Sequence, residues 1–200
     1  FPLVSQKNLP SISLTIHTTL IAFDCSIFSA LLSIPPSVTL TDGFYTADGV
    51  TAFTIDATTV TTGNLTVAAS ALSAANSLTV TRTTTGADGG DSIVFGAGND
   101  TLNVFADILA AGTTTLTGGT GTDTIAITQA GGETPTLTAL TTGFERITFA
   151  TAAGTIGLTT VDGNVASGAT LTVDGSTKTG ALTFVGSAEL DGKFAITGGS

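Results

Sequence analysis

A chain of 200 residues with 42% hydrophobic residues, 10% charged residues and a mean hydropathy of +0.48 is long enough for a sizeable core and too apolar to be disordered. Its 15 acidic residues against five basic ones give a net charge of −10, which excludes a basic nucleic-acid surface and suits cations. With 25 glycines, about a fifth threonine, one cysteine and no tryptophan, the composition points to an all-β fold without a disulfide framework.

Residues 1–37 differ from all that follows. They hold His17, Cys25 and four of the five prolines, and no glycine occurs before Gly43. Cys25 reads as a small buried hydrophobe. The apolar run Leu20–Leu32 is interrupted by Asp24, has no basic stretch before it beyond Lys7 and no small-residue cleavage site after it, and is too short to span a bilayer. The segment is expected to cap the fold or to lie outside its core. Residues 38–200 are expected to form one β-solenoid or β-roll region.

Residues 38–85 alternate threonine with aliphatics in VTL, TAFTIDATTV, NLTV and SLTVTRT, the period-two pattern of short strands. Asp42, Asp48, Asp162, Asp174 and Asp191 each precede a glycine and read as plain turn or hairpin residues. Ala68–Asn76 reads either as one or two helical turns or as a solenoid corner.

Then two nine-residue units lie end to end, GADGGDSIV (Gly86–Val94) and FGAGNDTLN (Phe95–Asn103). In each, a glycine-rich turn reaches an aspartate at the sixth position, Asp91 and Asp100, and an aliphatic follows two residues later, Ile93 and Leu102. Glycine permits the tight reversal, and the tail is a short strand whose aliphatic points inward. A third unit, GGTGTDTIA (Gly118–Ala126), carries Asp123. Between the second and third, Val104–Ala111 fits a brief helix or an inserted strand. Downstream, Phe144, Ile147 and Phe149 are candidate core, with Glu145 and Arg146 as a surface pair without a role. From Thr155 the strand–turn grammar continues to Gly198-Gly199-Ser200, which looks like the opening of a further unit, so the region is expected to be cut short there.

The three units resemble the RTX, or hemolysin-type, calcium-binding β-roll repeat of secreted bacterial proteins, G-G-x-G-x-D-x-U-x. The resemblance implies that Ca2+ is held by Asp91, Asp100 and Asp123, with help from Gly86, Asp88 and Gly89 in the first turn, Gly96, Gly98 and Asn99 in the second, and Gly119 and Gly121 in the third. Calcium suits such sites because it accepts six to eight oxygen ligands in flexible geometry. In a roll of this family, turns two units apart stack, about 18 residues from one another. Asp91 and Asp100 are nine residues apart and Asp123 follows Asp100 by 23, so fewer complete sites than motifs are expected. The resemblance further implies type I secretion and an extracellular, cell-surface location, as in S-layer proteins and large adhesins. Folding would be triggered by calcium outside the cell, with self-assembly or a surface component as partner.

No catalytic constellation accompanies this pattern. His17 is alone, and neither a G-x-S-x-G elbow nor a phosphate-binding G-x-x-x-x-G-K-[ST] loop is present, so the chain is expected not to be an enzyme. No nucleic-acid partner and no membrane span are expected. Two other classes stay open. One is the non-catalytic RTX region of a secreted toxin or enzyme. The other is a threonine-rich solenoid module that binds ice or glycan. T-x-T recurs at Thr79-Thr81, Thr115-Thr117, Thr122-Thr124 and Thr136-Thr138 without a constant interval, whereas regular ranks of threonine are expected to need a constant rung length.

Overall fold

A computed structural model describes residues 13–15, 37–60, 63–83, 90–128, 132–150 and 153–199. In chain order its elements are β1 (Ser13–Thr15), β2 (Ser37–Thr41), α1 (Asp42–Asp48), β3 (Ala52–Asp56), β4 (Thr66–Ala71), β5 (Ser77–Arg82), β6 (Ser92–Val94) and β7 (Thr101–Val104). After these come α2 (Ala106–Ala110), β8 (Thr115–Thr117), β9 (Thr124–Ile127), β10 (Thr141–Thr142), β11 (Arg146–Phe149), β12 (Ile156–Thr159), β13 (Thr170–Asp174), β14 (Leu182–Val185) and β15 (Lys193–Thr197).

Strands that follow one another in the chain go to different sheets. One sheet runs β1-β2-β4-β6-β8-β10, a second β15-β13-β11-β9-β7-β5-β3, and a short third joins β12 to β14. Every strand pairing among the described residues is parallel. This is a parallel β-solenoid of about 6 turns, as the all-β expectation has it. Parallel neighbours cannot be joined by a tight hairpin. The Asp-Gly pairs therefore make no hairpins; Asp42 opens α1, and Gly49 ends that helix with a φ of 66°.

Alternation along each strand builds the core. In the seven-stranded sheet the inward residues stack in register as Ile55, Val80, Leu102, Ile125, Ile147, Val173 and Ile196. The five in the middle of this rank are all buried. On the six-stranded sheet Val38, Val67, Ile93 and Leu116 stack in the same way. Phe144, Ile147 and Phe149 are buried as expected, and α2 falls inside the expected Val104–Ala111 segment, burying Ala106, Ile108 and Leu109. Ala68–Asn76 is not helical. Its first residues belong to β4, where Val67 and Ala69 face inward, and only the remainder turns the corner.

Most of residues 1–37 lies outside the described residues, including His17, Cys25 and Leu20–Leu32. The exception is β1, which pairs with β2 at the edge of the six-stranded sheet.

Candidate metal centre

The D-x-U spacing of the repeat has a structural consequence. Residues two apart in a strand share a face, so an aspartate two positions before an inward aliphatic is itself drawn inward. Asp91, Asp100 and Asp123 are 2, 1 and 0% exposed. They sit on the inner side of the corners rather than in the solvent-facing part of a turn.

Asp100 and Asp123 stack one rung apart. The rung here is 22 or 23 residues at this corner, longer than the roughly 18 expected of a nonapeptide roll, so two aspartates that looked mismatched in sequence are direct neighbours. A carboxylate on each rung caps the backbone of the rung before. Leu78 N–H donates to Asp100 Oδ1 at 2.7 Å, Asp100 N–H to Asp123 Oδ1 at 2.8 Å, and Asp123 N–H to Glu145 Oε2 at 2.8 Å. Glu145 is thus the third member of this column and not half of a surface pair. Arg146 pairs instead with Asp174, beside it on the next strand.

The second carboxylate oxygens of Asp100 and Asp123 are buried without a hydrogen-bond partner. Burial raises the pKa of both groups. For Asp123 burial, joined by the charges of Asp100 and Glu145, pushes it up to about 7.

The repeat glycines are what let the rungs close over this column. At Gly119 (φ 101°) a Cβ would lie 2.0 Å from Gly96 O, and at Gly121 (φ 141°) 2.1 Å from Gly98 O. Both positions combine a backbone conformation open to glycine with a contact that no side chain fits. Gly96 O accepts from Thr120 N–H at 3.0 Å, and the Asn99 side-chain oxygen accepts from Thr122 N–H at 2.9 Å. Both groups knit adjacent rungs together.

Asp91 belongs to a different corner, at the start of a strand in the other large sheet. Its Oδ1 accepts from Leu65 N–H at 2.7 Å and its Oδ2 from Arg82 Nε at 3.0 Å. Gly86, Asp88 and Gly89 of that turn lie outside the described residues.

Elsewhere, Asp162, Glu189 and Asp191 bring carboxylate oxygens within 4.8 Å of one another, the one such trio among the described residues. Two of these read in sequence as ordinary turn residues. Asp162 and Asp191 are separated by more than a full rung, and their meeting depends on a register the spacing does not show.

Arg82 is buried as well, and Leu78, Val80 and Arg82 share one parity in SLTVTR. That parity is the signal that places Arg82 inside.

Fold and site together define a parallel β-solenoid with a column of buried acids at one corner. No family model, no curated protein and no solved structure matches the chain. No helix among the described residues is long and apolar enough to cross a membrane.

Proposed function

We propose that the chain is a calcium-stabilised structural part of a secreted bacterial cell-surface protein, of the S-layer or RTX adhesin kind, that folds on binding Ca2+ outside the cell. The observation that supports this most is the pair of bare, buried carboxylate oxygens on Asp100 and Asp123, stacked on neighbouring rungs with Glu145 next in the column. A buried polar atom without a partner is costly, and a buried carboxylate without a counter-charge more so. Carboxylate oxygens of this kind suit a hard cation such as calcium. Asp100 and Asp123 would hold the ion. When bound, it supplies the positive charge that the chain lacks at this corner.

The chain's own residues do the rest. Gly96, Gly98, Gly119 and Gly121 allow the rungs to approach, and each carboxylate fixes the backbone of the rung before it. Without counter-charge, burying these carboxylates opposes folding, which couples metal concentration to the folded state. In low cytosolic calcium the chain stays exportable, and at millimolar calcium it folds.

The test is a calcium titration of the purified chain followed by far-UV circular dichroism, with magnesium as control and Asp100→Asn/Asp123→Asn as variant. Strand signal that grows with calcium in the parent and not in the variant is expected. A chain fully folded in chelator and indifferent to calcium would overturn the reading.

A second reading, a binding module for a flat surface, is favoured by one feature of the register. On the outer face of the seven-stranded sheet Thr54, Thr79, Thr101 and Thr124 align strand by strand, and beside them run Thr81, Asn103, Ala126 and Thr148. Regular ranks thus form without a constant interval in sequence, because corner loops absorb the differences in rung length.

A further inference from the structure

Arg82 stands where an apolar side chain belongs. In the register of the seven-stranded sheet it aligns with Val104, which aligns with Ile127, which aligns with Phe149, and all three are buried. Arg82 is as buried as they are, at 0% exposed, in a chain with only five lysines and arginines. A guanidinium in such a place is tolerated only where oxygens meet its donors and an anion offsets its charge.

Its partners supply both. Nε donates to Asp91 Oδ2 at 3.0 Å, one terminal nitrogen donates to the Val60 carbonyl, and the other donates to the Gly63 carbonyl at 3.3 Å. Two backbone carbonyls and one carboxylate are the oxygen donors that a hard divalent cation takes from a protein turn. The carboxylate is the sixth-position aspartate of the first nonapeptide. At the same position of the other two units, Asp100 and Asp123 each keep a bare buried oxygen.

The next rung makes the pairing plain. One rung on from Arg82 stands Val104, and one rung on from Asp91 stands Thr114, as the neighbouring pair Ser92 and Thr115 shows. Acid and base disappear together. Their joint presence in a single rung marks them as one unit, a carboxylate with its counter-charge supplied by the chain.

We propose that Arg82 is a built-in cation that takes the place of calcium at the first repeat, so that the Asp91 corner forms without metal while the Asp100–Asp123 corner awaits it. The second half of this statement rests on the calcium reading above; the first half does not. The division gives the fold a metal-independent start from which calcium-dependent rungs are added.

The test combines calcium stoichiometry from native mass spectrometry with amide hydrogen exchange, for the parent and for Arg82→Gln, with Arg82→Gln/Asp91→Asn alongside. In chelator the parent is expected to protect the Leu65 amide, which donates to Asp91, and to leave the Asp100 amide unprotected until calcium is added. Arg82→Gln is expected to lose Leu65 protection in chelator, to regain it in millimolar calcium, and to bind one ion more than the parent. The double variant loses that extra ion. If Arg82→Gln binds no additional ion, the proposal fails, whether Leu65 stays protected in chelator or no calcium concentration restores it. If the parent binds no calcium but Arg82→Gln does, the calcium reading of the whole chain fails and the role of Arg82 stands.

Discussion

Asp123 is the residue on which solution conditions act most directly. It is fully buried, it accepts one backbone hydrogen bond from Asp100, and its other oxygen has no partner. Desolvation, with the neighbouring Asp100 and Glu145 charges, lifts its pKa from the ordinary 3.8 to about 7. Because the folded state holds this proton more tightly than the unfolded chain does, stability without metal declines as pH rises between those two values. Below the lower value both states are protonated and the group contributes nothing; above about 7 the full cost is present. In chelator, the strand signal in far-UV circular dichroism is therefore expected to fall as pH rises from about 5 to about 8, as the metal-free chain loses its fold, and Asp123→Asn, which carries no charge to bury, is expected to flatten that slope. Saturating calcium should flatten it too, since a bound cation favours the ionised form. An Asp123→Asn slope equal to the parent's would show that another group titrates.

At the scale of the rung, the corner glycines serve two separable ends. Gly121 and Gly163 both have positive φ, 141° and 86°, but a Cβ at Gly121 would lie 2.1 Å from Gly98 O on the preceding rung, while Gly163 faces open space. Replacing either by alanine strains the backbone by about 1 kcal/mol or somewhat more. Only Gly121→Ala also forces two rungs apart. Gly121→Ala is expected to destabilise by at least about 2 kcal/mol more than Gly163→Ala, read from urea unfolding in calcium. Equal losses would mean that φ alone matters. This distinction marks how far the sequence could be read. The nine-residue grammar of turn, aspartate and inward aliphatic is local, and it correctly placed Ile93 and Leu102 in the core. Which corner lies above which is not local. It depends on the length of each excursion, such as α2 and its flanks between β7 and β8, and an expected stack of about 18 residues hid the contact between Asp100 and Asp123. The same blindness to register turned Glu145 into a surface residue and left Asp162 and Asp191 as plain turns.

Across the whole molecule, each rung contacts its neighbours and little else, so a feature repeated at one strand position becomes a line along the solenoid. Inside, that line is the aliphatic rank. Outside, it is Thr54, Thr79, Thr101 and Thr124 with the second rank alongside, an uncharged face bounded by Asp56 at one end and by Arg146 and Asp174 at the other. Adjacent strands set one spacing of about 4.8 Å and alternate residues set the other at about 6.6 Å, which gives a two-dimensional grid of threonine hydroxyl and methyl groups, interrupted in the second rank by Asn103 and the buried Ala126. None of the large hydrophobic residues exposed among the described residues is aromatic, so this face has no stacking platform for sugar rings, and a crystalline water surface suits the grid better. If the ranks bind ice, the calcium-folded chain shows thermal hysteresis, Thr101→Lys/Thr124→Lys abolishes it by placing two long charged side chains in the grid, and Thr115→Lys on the other sheet leaves it unchanged. Far-UV circular dichroism of the same samples separates loss of the surface from loss of the fold. Absence of hysteresis in the folded parent would reduce the ranks to the β-propensity of threonine, and the face would then be one more wall of a structural solenoid.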